Sequence, residues 1–203
     1  KLLSLFPSIK MVAVTGSLAM HNCASESDID LLIITQKRTL WLTRFLAYCL
    51  LYLAGHKLRR SRVSYERDAL CLNMWLDEGD LVFRQRNLYT AHEIAQVIPL
   101  VNRDKTYEKF LEKNKWILSY WPNAVRIQKL NLKKQKYRSK IKNFYSLIFH
   151  FLFLPIERLA FKIQFSYMKS KITREVVTPT RALFHPYDWG KIVLDKLSTS
   201  FLK

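Results

Sequence analysis

The sequence is poor in cysteine and glycine, and this scarcity excludes several classes of protein. Its 203 residues include three cysteines, four glycines and six prolines, too few for a disulfide scaffold, a collagen-like repeat or a low-complexity linker. Cys23, Cys49 and Cys71 show none of the Cys/His spacings that are typical of zinc sites. We therefore expect reduced thiols packed as small apolar side chains, and a cytoplasmic protein.

Long apolar runs are also missing. No stretch of about 18 uncharged apolar residues occurs, which argues against a transmembrane helix. The two most apolar segments, 45–54 and 144–155, are shorter than a membrane span and are flanked by basic residues. Both are expected to be core helices, with peripheral contact to a membrane surface as the alternative.

Acidic residues are scarce relative to basic ones. Lys and Arg number 34 and Asp and Glu 16, which gives a net charge of +18 at pH 7. This excess favours polyanionic partners such as RNA, and it weighs against a polycationic substrate. If the acid-free interval between Glu112 and Glu157 is helical, four lysines spaced i, i+4, i+7 and i+11 form one stripe. This candidate polyanion-binding stripe, for which a plain solvated face is the alternative, consists of Lys129, Lys133, Lys136 and Lys140.

Apolar periodicity predicts a mixed α/β structure in the first 86 residues. Strands are expected at 11–15, 28–34 and 69–76, and an apolar helix at 39–54. The turn at 77–80 is expected to return the chain as a hairpin through 81–83.

After residue 86 the pattern becomes helical. Thr90 and Glu93 are interpreted as a capping box for a helix that ends at Ile98. His92-Glu93 lacks the second His that a zinc-protease helix requires four residues on. Further helices are expected at 104–120, 123–150, 156–172 and 187–201. The sequence thus predicts an α/β (α+β) core with a small mixed sheet over 1–86, and a helical, basic region over 87–203.

A turn of small residues followed by paired aspartates marks the candidate site. Gly16-Ser17 ends the first strand, and ten residues later Asp28 and Asp30 open the second. Residues i and i+2 of a strand lie on one face, so the two carboxylates point together. Converging carboxylates suit hard divalent cations, and a small-residue turn lets backbone N–H groups approach phosphates. The pattern indicates a site for a nucleoside triphosphate with Mg²⁺ or Mn²⁺.

The stretch VAVTGSLAMHNCASESDIDLLII resembles the DNA polymerase β-like nucleotidyltransferase superfamily. Its pattern is an apolar strand, Gly-Ser, about ten residues and Asp-x-Asp, and the resemblance covers about residues 9–85. It implies transfer of a nucleoside monophosphate from a triphosphate, with ATP as the expected nucleotide, and release of pyrophosphate. Gly16 and Ser17 would hold the β- and γ-phosphates, and Asp28 and Asp30 would bind the metal.

The sequence departs from the family pattern at the third carboxylate, which orients or deprotonates the acceptor hydroxyl. Strand 69–76 carries Asn73 where that acid is expected, and Asn can orient a hydroxyl but takes no proton at neutral pH. Asp68 and Asp77 are the substitutes, although both fit turn or strand-end roles. Two hypotheses follow: an enzyme that uses Asn73 beside the aspartates, or a degenerate fold that binds nucleotide or nucleic acid without turnover.

The basic segment 56–67 lies between the apolar helix and the third strand. Arg59 and Arg60 are candidates for contacts with the triphosphate, and a solvated basic loop is the alternative. The acceptor is expected to be RNA or another anionic molecule, because aminoglycosides, which are acceptors elsewhere in the superfamily, are polycations that this charge would repel.

Overall fold

A six-stranded mixed sheet forms the centre of the protein in the computed structural model, which describes residues 1–59, 67–124, 144–184 and 189–200. The strands follow the order β4-β1-β2-β3-β6-β5, and only the β2–β3 pair is parallel. In chain order they are β1 Ile9–Val14, β2 Ile29–Thr35, β3 Leu70–Asp77, β4 Ile98–Asn102, β5 Val176–Thr178 and β6 Arg181–Leu183. The fold class is therefore the small mixed α/β sheet that the sequence predicts.

Helices cover both faces of this sheet. They are α1 Gly16–Ala19, α2 Leu40–Leu53, α3 Leu88–Ala95, α4 Thr106–Lys113, α5 Phe144–Lys169 and α6 Trp189–Ser200, with 3₁₀ turns at Leu2–Leu5 and Lys115–Ser119. None of the described helices is both long and apolar enough to cross a membrane.

Alternating side chains of β2 divide the core into two layers. Leu31 and Ile33 pack in the cluster that contains α2, and Leu32 and Ile34 pack in the cluster that contains α3 and α4. Since residues two apart share a face of a strand, Asp30 lies on the face that α3 and α4 cover.

A carboxylate from α5 fixes the N-terminus of α2. Buried Glu157 accepts hydrogen bonds from the backbone N–H groups of Trp41 at 2.7 Å and Leu42 at 2.8 Å. The first turn of α2 has no acidic residue of its own, so Glu157 satisfies two of its free donors and complements its dipole. Burial raises the pKa of Glu157. The second half of the chain is thereby joined to the face opposite α3.

The predicted hairpin at 77–83 is wrong in its second half. Residues 81–83 form no strand, and the edge of β3 that they would occupy pairs instead with β6. Arg181 of β6 holds this segment, donating to the Asp80 carboxylate at 2.9 Å and to the carbonyl of Val82 at 2.7 Å. A strand about a hundred residues downstream thus takes the place of the local return strand.

The capping box at Thr90 is wrong as well. Asn87 is the N-cap of α3, and its side chain accepts from the backbone N–H of Thr90 at 2.8 Å. Thr90 and Glu93 therefore lie inside the helix, which ends at Ala95 instead of Ile98. Ile98–Asn102 forms β4, and Pro99 is tolerated because β4 is an edge strand paired on one side with β1.

The expectation of a nearly all-helical second half is wrong, since β4, β5 and β6 complete the sheet. Helix 104–120 is confirmed as α4 and a 3₁₀ turn, interrupted at buried Asn114. Much of the predicted helix 123–150 falls on residues 125–143, outside the described residues, and α5 continues through Pro155 where a break was expected. Helix 187–201 is confirmed as α6. The domain boundary near residue 86 stays a prediction, with three strands of the sheet on each side.

Candidate functional site

The paired aspartates lie where β1, β2 and β3 meet the α1 turn. Asp28, Asp30 and Cys71 each offer a ligand atom, and these atoms lie within 4.8 Å of one another. Asp28 is only 6% exposed, and Asp30 lies opposite Cys71 in the parallel β2–β3 register. The structure thus brings together two carboxylates that the sequence predicted to share one face.

Gly16 lies directly against this pair. Its backbone has φ of +64°, a left-handed conformation that favours glycine, and a Cβ there would come 2.5 Å from Oδ2 of Asp30. The backbone N–H of Thr15 donates to the carbonyl of Asp30 at 3.0 Å, which fixes the turn on β2. Gly16 and Ser17 open α1, so the small-residue turn adjoins the carboxylates as the sequence predicted.

Asn73 occupies the position beside Asp30 where an acid was sought. The register of β3 shifts between its pairs with Asp30 and Leu32, so that one extra residue bulges from β3. From this bulge the Asn73 amide nitrogen donates to Oδ1 of Asp30 at 2.7 Å. The amide oxygen is buried and, within the described parts of the chain, has no hydrogen-bond partner. Such an orphaned acceptor indicates a missing donor or cation.

Burial and a neighbouring like charge both act on Asp30. Desolvation, followed by the negative charge of Asp28, raises the pKa of Asp30 to about 6, against hydrogen bonds from Cys71 and Asn73. Burial and the neighbouring carboxylates also raise the pKa of the Cys71 thiol, which therefore stays protonated at neutral pH.

Among the described residues, Arg59 supplies a cation at the site. Its Nη1 donates to Oδ2 of Asp28 at 2.6 Å and contacts Sγ of Cys71 at 3.6 Å. The guanidinium is 26% exposed, whereas its partner Asp28 is buried. Arg59 therefore faces solvent on one side and the aspartates on the other, a position from which it can reach a bound anion.

We expect Arg59→Gln to lower the free energy of unfolding by about 1–3 kcal/mol, because it leaves the buried charge of Asp28 without its partner. Urea unfolding monitored by circular dichroism measures the change. Arg67→Gln is the matched control, since its side chain is 63% exposed and its nearest acidic oxygen is 3.5 Å away; it should change stability by less than about 0.5 kcal/mol. Equal effects of the two variants would contradict the Arg59–Asp28 pair.

The other sequence-predicted site residues lie apart from this cluster. Asp68 is 81% exposed and pairs with Arg67. Asp77 accepts from the backbone N–H groups of Arg38 at 2.6 Å and Gly79 at 2.7 Å, at the opposite end of β3. Both are the turn and strand-end residues that the sequence allowed. Arg60 and the four lysines of the predicted stripe lie outside the described residues.

Sequence reasoning missed two residues at the site, Cys71 and Glu93. Glu93 was interpreted as a cap, and it instead lines a cavity of about 30 Å³ beside the site. Burial and then the charge of Asp30 raise the pKa of Glu93 to about 7. The signal that could have found it is Asn87, an equally good N-cap three residues before Thr90, which frees Glu93 from a capping role.

Comparisons with known proteins add little. No family model and no curated protein matches the sequence. Two solved structures match over 64% of this chain and 88% of theirs: a toxin-antitoxin with AMP-PNP, 17% identical with a TM-score of 0.33, and a mutant of the toxin-antitoxin MntA-HpeT, 15% identical with a TM-score of 0.32. TM-scores this low do not establish a shared fold, so membership of the nucleotidyltransferase superfamily stays a prediction.

Proposed function

We propose that this protein binds a nucleoside triphosphate with a divalent cation and transfers the nucleotidyl group to an acceptor. The observation that carries the proposal is the packing of Gly16, at φ of +64°, against Asp30, one of two convergent aspartates. A glycine turn and a carboxylate pair within a few ångströms of each other can bring a phosphate chain and its cation together.

The residues fit Mg²⁺ or Mn²⁺. The donor set offers carboxylate oxygens from Asp28 and Asp30, whose ligand atoms converge within 4.8 Å. Hard cations prefer such oxygens, while the protonated thiol of Cys71 is a poor ligand for them. Bound there, the cation supplies charge stabilisation to the phosphates.

Residues of the chain bind the phosphates and orient the acceptor. The turn at Gly16 and Ser17 holds the β- and γ-phosphates, and Arg59, now paired with Asp28, is the cation that reaches the triphosphate. The free amide oxygen of Asn73 accepts a hydrogen bond from the acceptor hydroxyl and orients it. The acceptor oxygen bonds to the α-phosphorus, the bond to the bridging oxygen of the β-phosphate breaks, and pyrophosphate leaves.

The test is label transfer. The protein is incubated with Mg²⁺ or Mn²⁺, cellular RNA or lysate, and each triphosphate, ATP first, labelled at either the α- or the γ-phosphate. We expect the α-label to become covalently attached to the acceptor and the γ-label to appear in pyrophosphate. Asp30→Asn should abolish transfer, and Asp68→Asn, a surface acid, should not. Transfer of the γ-label would indicate a kinase and contradict the proposal.

The second candidate function is a binding module that holds nucleotide or nucleic acid without turnover. The observation that favours it is Asn73, because an amide beside Asp30 takes no proton at neutral pH. A triphosphate-dependent rise in melting temperature without transfer of either label would support this second function.

The acceptor is proposed to be RNA or another polyanion, because the protein carries a net charge of +18 at pH 7. Replacing Lys133, Lys136 and Lys140 by Gln should weaken polyanion binding for all sequences alike. The slope of log K against log salt should flatten by roughly two to three, because each neutralised phosphate releases counterions. Fluorescence anisotropy with single-stranded RNA at several salt concentrations measures both quantities.

A charge-matched control keeps this prediction specific. The exposed lysines Lys109, Lys113 and Lys162, replaced by Gln, lower the net charge by the same amount and should leave the slope close to that of the unmodified protein. Unchanged affinity in the first variant would mean that the stripe is a solvated surface. The triphosphate-dependent rise in melting temperature should persist in both variants, since neither alters the aspartate pair.

A further inference from the structure

The proposed transfer needs a group that takes the proton of the acceptor hydroxyl, and β3 offers none. Asn73 stands beside Asp30 but remains neutral. Asp68 is exposed in a turn, and both oxygens of Asp77 accept backbone hydrogen bonds at the opposite end of β3. Another element must deliver the third carboxylate, if the site has one.

Helix α3 presents a carboxylate to the same face of the sheet. Buried Ala91 and Ile94 fix α3 on the core layer that contains Leu32, two residues along β2 from Asp30. Glu93 then lines the 30 Å³ cavity together with Thr15, the residue before Gly16. Glu93 and the residue before Gly16 therefore border one small cavity, on the face of the sheet that carries Leu32 and Asp30.

Glu93 has no structural partner, among the residues that the structure describes, that explains its position. Across the described residues, no side chain or backbone group forms a hydrogen bond or ion pair with its carboxylate, and the other side chains that line the cavity are uncharged. The ring of His92, its neighbour on α3, packs at a tilt against the ring of Trp121, with 5.8 Å between the ring centroids. The charge that acts on Glu93 is that of Asp30, which adds to burial in raising its pKa.

An ionised carboxylate in this position disfavours the folded state. The pKa of Glu93 rises from 4.5 to about 7 on folding, so stability is greatest at low pH and falls as the pH passes through 7. A glutamine would fill the same space without that penalty. An acid that costs stability where it lies is typical of a functional group.

We propose that Glu93, delivered by α3, is the third carboxylate of the site and the general base for the acceptor. This role rests on the nucleotidyl transfer proposed above. Glu93 takes the proton of the acceptor hydroxyl, directly or through one water, while Asn73 orients that hydroxyl. The acceptor oxygen bonds to the α-phosphorus as the bond to the leaving pyrophosphate breaks. Glu93 is left as a neutral carboxylic acid and returns its proton to solvent.

The experiment compares Glu93→Gln with the unmodified protein and with Glu112→Gln, a matched control at a carboxylate that is 67% exposed on α4. Single-turnover transfer of an α-phosphate label, with water or RNA as the acceptor, should slow by a hundredfold or more in Glu93→Gln. Its affinity for Mg²⁺-triphosphate, measured by titration calorimetry, should stay within about threefold. Glu112→Gln should match the unmodified protein in both measurements.

A second variant tests the role independently of any loss of folding. Asn73→Asp places a carboxylate beside Asp30. In the Glu93→Gln background it should raise the transfer rate at least tenfold above that of Glu93→Gln alone. Glu93→Gln with unimpaired transfer would overturn the role of Glu93 and leave the proposed function standing. If Glu93→Gln still unfolds cooperatively but loses both triphosphate binding and transfer, Glu93 is a binding residue, and its role as the base is likewise overturned. No transfer by the unmodified protein would overturn the proposed function itself, and with it the base.

Discussion

Asp30→Asn is expected to abolish the stabilisation that Mg²⁺ and a nucleoside triphosphate together give this protein, while making the unliganded protein more stable. Burial and the charge of Asp28 raise the pKa of Asp30 from 3.8 to about 6. The stability linked to its protonation is thus fully present below pH 3.8 and is lost as the pH rises through 6. At pH 7.5 the neutral amide should raise the free energy of unfolding by up to about 3 kcal/mol.

Ligand-linked stability should change in the opposite direction. A ligand at a hundred times its Kd stabilises the native state by about 2.7 kcal/mol, and this gain needs both carboxylates if they hold the cation. Differential scanning fluorimetry with Mg²⁺ alone, triphosphate alone and both together measures it. Mg²⁺ alone should raise the Tm only slightly, because the phosphates complete its coordination shell. A full ligand-dependent shift in Asp30→Asn would move the metal site elsewhere, and Asp68→Asn controls for the lost charge.

The parts of the fold that the sequence predicts are those encoded by neighbouring residues. The apolar runs of β1 and β2, the helix α2 and the shared face of Asp28 and Asp30 follow from periods of two and 3.6 residues. Gly16 follows from its place between an apolar strand and a polar loop. Each of these inferences needs only the residues within a few positions of the one that it concerns.

Pairing between strands that are far apart in the sequence does not follow from such local patterns. The edge of β3 pairs with β6, although the Leu81–Phe83 segment lies much closer along the chain, because the buried Arg181 side chain of β6 donates hydrogen bonds to Asp80 and to the carbonyl of Val82, and so holds that segment without strand pairing. No local pattern distinguishes a return strand from an extended segment held by a distant arginine. The same limit hid the cap that Glu157 forms on α2.

The site was only partly predictable for a related reason. Asn73 reaches Asp30 from a bulge, whose position depends on the pairing of β2 with β3. The role of Glu93 depends on which of two residues, Asn87 or Thr90, is the N-cap of α3. Capping propensity alone does not decide between them. The tertiary structure selects Asn87, and that three-residue difference turns Glu93 from a cap into a carboxylate beside the site.

Gly16→Ala should disable the site through one methyl group. The substitution places Cβ 2.5 Å from Oδ2 of Asp30, closer than such atoms can approach, at a φ of +64° that already disfavours alanine. Either the turn or the carboxylate must move, so the cation and the phosphates lose their shared geometry. We expect the free energy of unfolding to fall by about 2–3 kcal/mol, and the triphosphate-dependent rise in Tm to disappear.

Gly55 provides the matched control, because it has a φ of +74° with nothing within 4 Å of a Cβ. Gly55→Ala should lower the free energy of unfolding by only the backbone cost of about 1 kcal/mol, and leave triphosphate binding intact. In an Asp30→Ala background the clashing oxygen is gone, so the free energy of unfolding lost through Gly16→Ala should fall to this same backbone cost. The double-mutant cycle then gives the Gly16–Asp30 contact a coupling of about 1–2 kcal/mol. If Gly16→Ala and Gly55→Ala prove equally mild in the unmodified protein, the turn does not lie against the carboxylates, and the proposed phosphate site loses its basis.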